Sequence, residues 1–245
     1  MNQRINNEKT NSLMAFLSFF SWLLLGSSLF TIPLVVIGSQ KTGLTIDEYA
    51  NNMDLVNLHS YFPSTISQIL AIILFVVLFK KIVIDDAKQF KEKLLKYIII
   101  IVVAAALMYC AMLLVDFIYE KIGLGDETSK NQEHIINALH GKQNYIVIIY
   151  TIIIAPIIEE IIFRKFLFNT LKQYTKIPVW GIVVIISAIF AFIHVTDMES
   201  FKFFPVYFVP AFIITSAYAM TKENLYVSIG LHSINNFISV LEILL

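Results

Sequence analysis

The 245-residue sequence is 58% hydrophobic and 15% charged, whereas soluble domains are about 45–50% apolar and about 25% charged. This composition excludes an ordinary soluble domain and predicts an all-α, polytopic transmembrane helical bundle. Basic and acidic residues number 18 each, so net charge gives no sign of a nucleic-acid partner, and none is expected. The single cysteine, Cys110, excludes a disulfide framework and a cysteine-based metal cluster.

About seven apolar stretches are candidates to cross the bilayer, since roughly 20 helical residues span about 30 Å of hydrocarbon. In chain order they lie at about 13–38, 61–79, 97–119, 144–172, 178–195, 203–221 and 225–244. We divide the chain into an N-terminal part, 1–143, with about three spans and their loops, and a C-terminal core, 144–245, with four spans.

The loops alternate in charge, and this alternation predicts the orientation in the membrane. Basic residues fall in the N-terminal tail and in two loops: Arg4, Lys9, the six lysines of 80–96, Lys172 and Lys176. The other loops are acidic or balanced and contain Asp47, Glu48, Asp54, Asp126, Glu127, Glu133, Asp197 and Glu199. The positive-inside rule therefore places the N-terminus in the cytoplasm. The histidines of the outer loops, His59, His134 and His140, are predicted to be solvated.

The fourth stretch contains three ionisable residues where lipid-soluble ones are expected: Glu159, Glu160 and Arg164. Each charge at a helix centre costs about 2.5–3.5 kcal/mol, so the cluster indicates a functional site. At 100° per residue in a helix, Glu160 and Arg164 share a face and are expected to form an ion pair. Glu159 points away from Arg164 and is left free for acid or base chemistry.

Pro156 lies three residues before Glu159 and has no N–H to donate to the carbonyl of Ile152. We expect it to kink the helix. Because backbone groups in lipid need an internal partner, one interpretation is that the freed carbonyl holds a water near the carboxylate. The other interpretation is that the kink serves only the packing of the helix.

Two later spans contribute imidazoles. Phe190 and His194 are four residues apart at the end of the fifth span, so the phenyl ring is expected to pack beneath the imidazole. His232 and Asn236 share a face of the seventh span. The two histidines and Glu159 reach a common depth only if the 165–177 hairpin extends about 10 Å further into the cytoplasm.

The motifs Glu-Glu-x-x-x-Arg, Phe-x-x-x-His and His-x-x-x-Asn follow one another along these spans. In this order they resemble the CPBP family of intramembrane proteases. That family includes type II CAAX prenyl endopeptidases, bacteriocin-processing and self-immunity proteins, and proteins once labelled abortive-infection proteins. The resemblance covers about residues 144–244 and implies an intramembrane peptidase.

The resemblance also implies roles for individual residues. Glu159 is similar to the family's catalytic carboxylate, and His194, His232 and Asn236 resemble the remaining active-site positions. The positions implied to support them are Glu160, Arg164 and Phe190. The expected substrates are membrane-associated: a prenylated C-terminus, a membrane-bound peptide precursor, or a leader-carrying bacteriocin or signalling peptide.

Two mechanisms remain open. In the first, without a cofactor, Glu159 and His194 activate water while His232 and Asn236 donate hydrogen bonds to the oxyanion. In the second, His194, His232 and Glu159 bind zinc. The metal-free version is favoured because a helical His-Glu-x-x-His motif is absent, and because Asn236 offers an amide where zinc enzymes use stronger ligands.

Two other classes of function remain as alternatives. A transporter or proton relay would use intramembrane Glu and His, with Asp116 as a further member, but no paired internal repeat is found in the sequence. A pseudoprotease would regulate a membrane partner without cleaving it. The abundance of Ile, Lys and Asn indicates an AT-rich bacterial genome, which favours a bacterial plasma membrane and peptide processing or immunity over a prenylated substrate.

Overall fold

The computed structural model describes residues 2–52, 55, 57–195 and 197–245, and the side chains described begin at Ser12. The predicted alternation of loop charges includes Arg4, Lys9 and Asp54. Asp54 and the side chains of Arg4 and Lys9 lie outside the described residues. The described residues form helices joined by short turns, with no strand among them. The predicted all-α class is therefore confirmed.

The helices before the Glu159 region are α1 (Asn2–Leu25), α2 (Ser28–Thr42), α3 (Ile46–Ala50), a π-helical turn (Asn57–Tyr61), α4 (Phe62–Leu78), α5 (Lys80–Glu92), α6 (Leu94–Lys121) and α7 (Lys130–His140). The remaining helices are α8 (Asn144–Tyr174), α9 (Val179–His194), a 3₁₀ turn (Ser200–Phe203), α10 (Phe204–Met220) and α11 (Leu225–Leu244). We treat α8 as one helix, although its register changes along its length.

Six segments of the described chain have the length and hydropathy of a membrane span: Ser12–Thr42, Asn57–Leu78, Leu94–Lys121, Asn144–Tyr174, Ser200–Met220 and Leu225–Leu244. The seventh predicted span corresponds to α9, whose 16 residues form a shorter apolar helix. At 1.5 Å per residue, α9 is about 24 Å long, less than the hydrocarbon thickness. The polytopic transmembrane bundle is thus confirmed, with one span shorter than the others.

Helix α8 lies at the centre of the bundle and is the most buried of these spans. Its Ile161–Phe168 segment is buried at every position and packs against α1. A cluster of four phenylalanines joins this segment to α1 and α4: Phe19, Phe75, Phe79 and Phe166. Helices α9 and α10 pack along each other, and α6 lies across α10 and α11.

A glycine permits the close approach between the first two long spans. A Cβ at Gly26 would lie 2.6 Å from the Trp22 carbonyl oxygen and 2.7 Å from Ser67 Oγ, distances shorter than van der Waals contact. The indole N–H of Trp22 donates to the Ser67 carbonyl at 2.9 Å at the same point. The absence of a side chain at Gly26 therefore lets the α1–α2 junction contact α4.

Asp86 of α5 fixes the relative depth of the helices that carry Glu159 and His232. Its carboxylate accepts from Lys165 Nζ at 2.7 Å and from the Leu225 backbone N–H at 3.1 Å. Lys165 follows Glu159 by six residues, and Leu225 precedes His232 by seven. Because helices rise equally per residue, Glu159 and His232 lie at similar depth.

Contacts on the opposite face join the other set of loops. Lys130 lies 2.9 Å from Asp197, and Asn57 Nδ2 donates to the Ala138 carbonyl at 2.8 Å. The Ser200 backbone N–H, followed by Lys130, holds the pKa of Asp197 below its ordinary value. The predicted outer loops therefore share one face, as the alternating charges require.

The prediction for one loop histidine is wrong. His59 is 6% exposed and its ring packs 6.2 Å from that of Tyr49, because the Asn57–Tyr61 turn folds inward against the 138–142 segment. His134 and His140 are exposed, as predicted.

Candidate active site

Helix α8 changes register on both sides of the glutamate pair. Ala155–Glu160 is α-helical, whereas Tyr150–Ile154 and Ile161–Phe168 are π-helical. A π segment holds more residues per turn and so re-aims the side chains beside it, and such segments are frequent at functional sites.

The π register leaves one backbone carbonyl without a main-chain donor. In an α-helix the Thr151 carbonyl would accept from the Ala155 N–H, but that N–H donates to the Tyr150 carbonyl. In a π-helix it would accept from residue 156, but Pro156 has no N–H. The Thr151 carbonyl therefore receives neither hydrogen bond. Asn236 Nδ2 donates to this carbonyl at 2.9 Å. In a regular α-helix the missing Pro156 N–H would leave the Ile152 carbonyl without a donor. In the π register it leaves the Thr151 carbonyl without one.

Replacing Asn236 with leucine is expected to lower the free energy of unfolding by about 1–3 kcal/mol, the cost of an unsatisfied buried carbonyl. The matched control is Asn235→Leu, because Asn235 Nδ2 donates to Asn236 Oδ1 at 3.1 Å and reaches no backbone group through that bond. Unfolding of both variants in detergent measures the difference. Equal stability of Asn236→Leu and the unaltered protein would contradict the backbone role.

The predicted ion pair between Glu160 and Arg164 is confirmed. Arg164 Nη1 donates to Glu160 Oε1 at 2.8 Å, and both side chains are fully buried. The guanidinium also donates to Thr215 Oγ1 at 3.3 Å and to the Ala211 carbonyl at 3.4 Å, which ties α8 to α10. A buried ion pair is stable only when such additional hydrogen bonds satisfy its polar atoms.

His232 lies between the two glutamates. Its Nδ1–H donates to Glu160 Oε1 at 2.8 Å, while Nε2 lies 3.8 Å from Glu159 Oε2, beyond hydrogen-bond distance. Glu160 thus orients the imidazole and leaves Nε2 facing Glu159. The sequence did not reveal this second task of Glu160.

His194 is held between two aromatic rings. It stacks on Phe190, as predicted, at 4.5 Å and 27°, and on Tyr207 at 5.1 Å and 26°. Its Nδ1 lies 2.8 Å from the Phe190 carbonyl oxygen. Because a carbonyl only accepts hydrogen bonds, Nδ1 carries the hydrogen, and Nε2 of the neutral ring is an acceptor.

Phe190 connects the two histidines with the buried ion pair. Its ring contacts His232 edge-on at 5.8 Å, and the Arg164 guanidinium lies 4.9 Å above its centre. A cation above an aromatic face is stabilised by the ring quadrupole. The supporting position predicted for Phe190 therefore corresponds to a direct contact with three other site residues.

A cavity of about 660 Å³ brings the predicted catalytic side chains together. Glu159, His194, His232 and Asn236 all line it, and the Glu159 side chain is 18% exposed. Two further lining residues, Tyr150 and Tyr207, were not singled out in the sequence. Other polar residues along the cavity are Asp116, Glu120, Glu127, Ser129, Asn131, Gln132, Asn235 and Glu242.

The side chains proposed for zinc do not form a metal site in this arrangement. Within the described part of the chain, no three His, Cys, Asp or Glu side chains are placed where they would hold a metal ion together. We therefore derive no step through a metal, and zinc at His194, His232 and Glu159 stays the alternative that chelation tests.

Residues 141–238 match the model of the Rce1-like family, described as type II CAAX prenyl endopeptidase Rce1-like. The matched region contains the three motifs and the predicted catalytic residues of α8, α9 and α11. Over these residues, which make up less than half of the chain, the protein is similar to that family. The resemblance to CPBP proteases is thereby confirmed.

Curated relatives of this Rce1-like chain come from several bacteria. It is 32% identical over 143 residues to the membrane-embedded CAAX protease MroQ of Staphylococcus aureus (strain USA300), covering 56% of this chain and 55% of the relative. It is 31% identical over 126 residues to the putative membrane peptidase YdiL of Bacillus subtilis (strain 168), covering 51% and 48%. It is also 32% identical over 130 residues to an uncharacterized protein of Mycoplasma capricolum, covering 51% and 36%.

The matches span about a third to just over half of the length of these relatives. No solved structure shows a significant match. The family and the apolar helices establish an integral, multi-pass membrane protein.

Proposed function

We propose that this protein is an intramembrane endopeptidase that cleaves membrane-associated or lipid-anchored peptides, with residues 144–245 as its catalytic core. The observation that carries the proposal is the shared cavity, which is lined by Glu159, His194 and His232, with Glu159 Oε2 3.8 Å from His232 Nε2. A carboxylate and two oriented imidazoles that line one cavity among apolar helices provide acid–base chemistry.

In the proposed reaction, Glu159 removes a proton from a water molecule in the cavity as the water oxygen attacks the scissile carbonyl. His194 assists through Nε2, which is left as an acceptor by the bond from Nδ1 to the Phe190 carbonyl. The proton then passes to the departing amine. Glu159 acts first as base and then as acid.

The negative charge that develops on the carbonyl oxygen needs hydrogen-bond donors. We assign this task to His232, through Nε2 when it carries a hydrogen, and to Asn236. The bond from His232 to Glu160 fixes the ring so that Nε2 faces the reacting carboxylate. Donors placed in advance cost no reorganisation at the moment of reaction.

The substrate class follows from where the cavity lies. Glu159 is in a membrane span, so a peptide that is anchored to the bilayer can bring its scissile bond to the depth of this carboxylate. One relative is named a CAAX protease and another a putative membrane peptidase. We propose a bacteriocin or signalling-peptide precursor, a self-immunity target, or a lipid-modified protein as substrate, in a bacterial plasma membrane.

We also propose that the N-terminus is cytoplasmic. Helix α5, which occupies most of the predicted 80–96 loop, and the 221–225 turn share one face, since Asn224 Nδ2 donates to the Asp86 carbonyl at 2.8 Å. The loop 80–96 is rich in lysine. By the positive-inside rule this shared face is the cytoplasmic one.

Comparative peptidomics of membranes tests the proposal. Cells that express the unaltered chain are expected to contain membrane-derived peptide termini that are missing from cells expressing Glu159→Gln. Identical peptide termini together with an unchanged cellular phenotype would favour the non-catalytic regulator instead. Proton-coupled uptake that depends on Glu159, with no change in peptides, would favour the transporter.

Chelation separates the two mechanisms. After treatment with a strong chelator, the purified protein is expected to retain full activity and to hold less than stoichiometric zinc by elemental analysis. The physical reason is that Glu159 and His194 activate water without a metal in the proposed reaction. Loss of activity on chelation and its return with stoichiometric zinc would contradict the metal-free version.

A further inference from the structure

We propose that Tyr150 is a further catalytic residue, which donates its hydroxyl hydrogen to the oxyanion, and that Gln68 of the N-terminal part positions it. The inference rests on the proposed endopeptidase function and assigns to Tyr150 a task that the three sequence motifs do not include.

His232 and Asn236, the two proposed donors to the oxyanion, also form other hydrogen bonds. One N–H of the Asn236 amide donates to the Thr151 carbonyl, and its Oδ1 accepts from Asn235. His232 has one ring nitrogen occupied by Glu160. One amide hydrogen and one imidazole nitrogen therefore remain for the developing charge, and a third donor on the cavity wall would strengthen its stabilisation.

Tyr150 is placed to supply that donor. It lines the same cavity as Glu159, His194 and His232, and the carbonyl of the next residue, Thr151, accepts from Asn236 at 2.9 Å. It begins the π-helical segment that precedes Pro156. Nine residues separate Tyr150 from Glu159, which puts them on opposite sides of a regular α-helix, about 180° apart. The extra residue per turn of the π segment rotates Tyr150 toward the cavity.

Gln68 determines which way the hydroxyl hydrogen points. Gln68 is buried in α4, and its Nε2 donates to the Tyr150 hydroxyl oxygen at 2.8 Å. A hydroxyl has one donor hydrogen and two acceptor lone pairs, so this bond occupies a lone pair and leaves the hydrogen for another acceptor. Tyr61 packs edge-on against the Tyr150 ring at 5.5 Å and limits its rotation.

The step involves no transfer of the tyrosine proton. As the water oxygen bonds to the carbonyl carbon, the C=O π electrons move onto the oxygen, and the Tyr150 O–H donates a hydrogen bond to that oxyanion. When the carbon–nitrogen bond breaks, the electron pair returns to re-form C=O. The amine leaves with the proton that Glu159 took from water.

Tyr150→Phe removes the hydroxyl and keeps the ring. The test uses the purified full chain in phospholipid vesicles with a library of internally quenched, N-palmitoylated peptides, and the peptide with the fastest Glu159-dependent cleavage serves as substrate. We expect kcat to fall about 10²- to 10³-fold. KM is expected to stay within a factor of about two, because the donor acts on the transition state rather than the bound peptide.

The matched controls separate catalysis from structure. Tyr145→Phe removes a hydroxyl from an exposed tyrosine of the same helix that is not among the residues lining the cavity, and it is expected to leave kcat unchanged. Gln68→Met removes the bond to Tyr150 and is expected to lower kcat about tenfold. The double variant Tyr150→Phe with Gln68→Met should be no slower than Tyr150→Phe alone, since Gln68 acts through Tyr150.

The outcomes distinguish this inference from the proposed function. Glu159-dependent cleavage that continues at an unchanged kcat in Tyr150→Phe overturns the role of Tyr150 and leaves the endopeptidase standing. A loss that appears in KM and thermal stability, with kcat unchanged, also overturns it. Absence of any Glu159-dependent cleavage across the library, by a protein shown to be folded, overturns both.

Discussion

Replacing Arg164 with alanine is expected to lower the free energy of unfolding by about 3–5 kcal/mol and to abolish cleavage. The substitution leaves the Glu160 carboxylate fully buried without its cationic partner. It also removes the donors to Thr215 and the Ala211 carbonyl that join α8 to α10. Chemical denaturation and thermal melts of the purified protein in detergent measure the loss.

Arg164→Lys is the matched control for the loss of charge. Lysine keeps the positive charge but cannot reach Glu160, Thr215 and Ala211 together, because an ammonium lacks the planar fork of a guanidinium. An intermediate stability is therefore expected. An Arg164→Ala variant as stable as the unaltered protein would show that the buried pair does not support the fold.

Replacing Glu159 with glutamine is expected to reduce cleavage by roughly 10²- to 10⁴-fold, the usual contribution of a general base. The melting temperature should remain close to that of the unaltered protein. Glu159 lies in the wall of the cavity, 3.8 Å from His232 Nε2, and the ion pair with Arg164 belongs to Glu160. Rates in vesicles and melts in detergent check the two halves of the prediction.

Glu160→Gln provides the contrast. Glutamine at 160 would leave the Arg164 guanidinium buried beside a neutral amide and would release His232 from its carboxylate. This variant should lose both stability and activity. Equally large losses of stability in Glu159→Gln and Glu160→Gln would contradict the division of tasks between the two glutamates.

Local spacing explains why much of the site was predictable from sequence. Glu160 with Arg164, and Phe190 with His194, are pairs four residues apart, so one helical turn determines their contact. The apolar stretches likewise determine the helices, because length and hydropathy alone set a membrane span. For the same reason the short α9 was located correctly, although its 16 residues are fewer than a full span requires.

The remaining features depend on register and on contacts between helices. The position of Tyr150 follows from a π-helical segment that periodicity at 100° per residue does not reveal. The bond between His232 and Glu160 joins residues 72 positions apart. The bond between Asn236 and the Thr151 carbonyl requires both the π register and the packing of α11 on α8.

The motifs did not predict that the N-terminal part contributes to the site. It carries none of the three motifs, yet Gln68 contacts Tyr150 in the cavity wall and Asp86 holds α8 and α11 at matching depth. The sequence predicts a solvated His59 because this residue falls in an outer loop with no partner motif around it. The inward fold of Asn57–Tyr61 buries it instead.

Isotope transfer from water tests the central claim most directly, namely that Glu159 activates a water molecule for peptide hydrolysis within the bilayer. The purified, chelator-treated full chain is incubated in vesicles with the N-palmitoylated peptide library in H₂¹⁸O, and the products are analysed by mass spectrometry. The account predicts new C-terminal carboxylates that carry one ¹⁸O atom, and their absence with Glu159→Gln. Labelled products formed equally by Glu159→Gln, or no labelled product from the folded, unaltered protein, would contradict it.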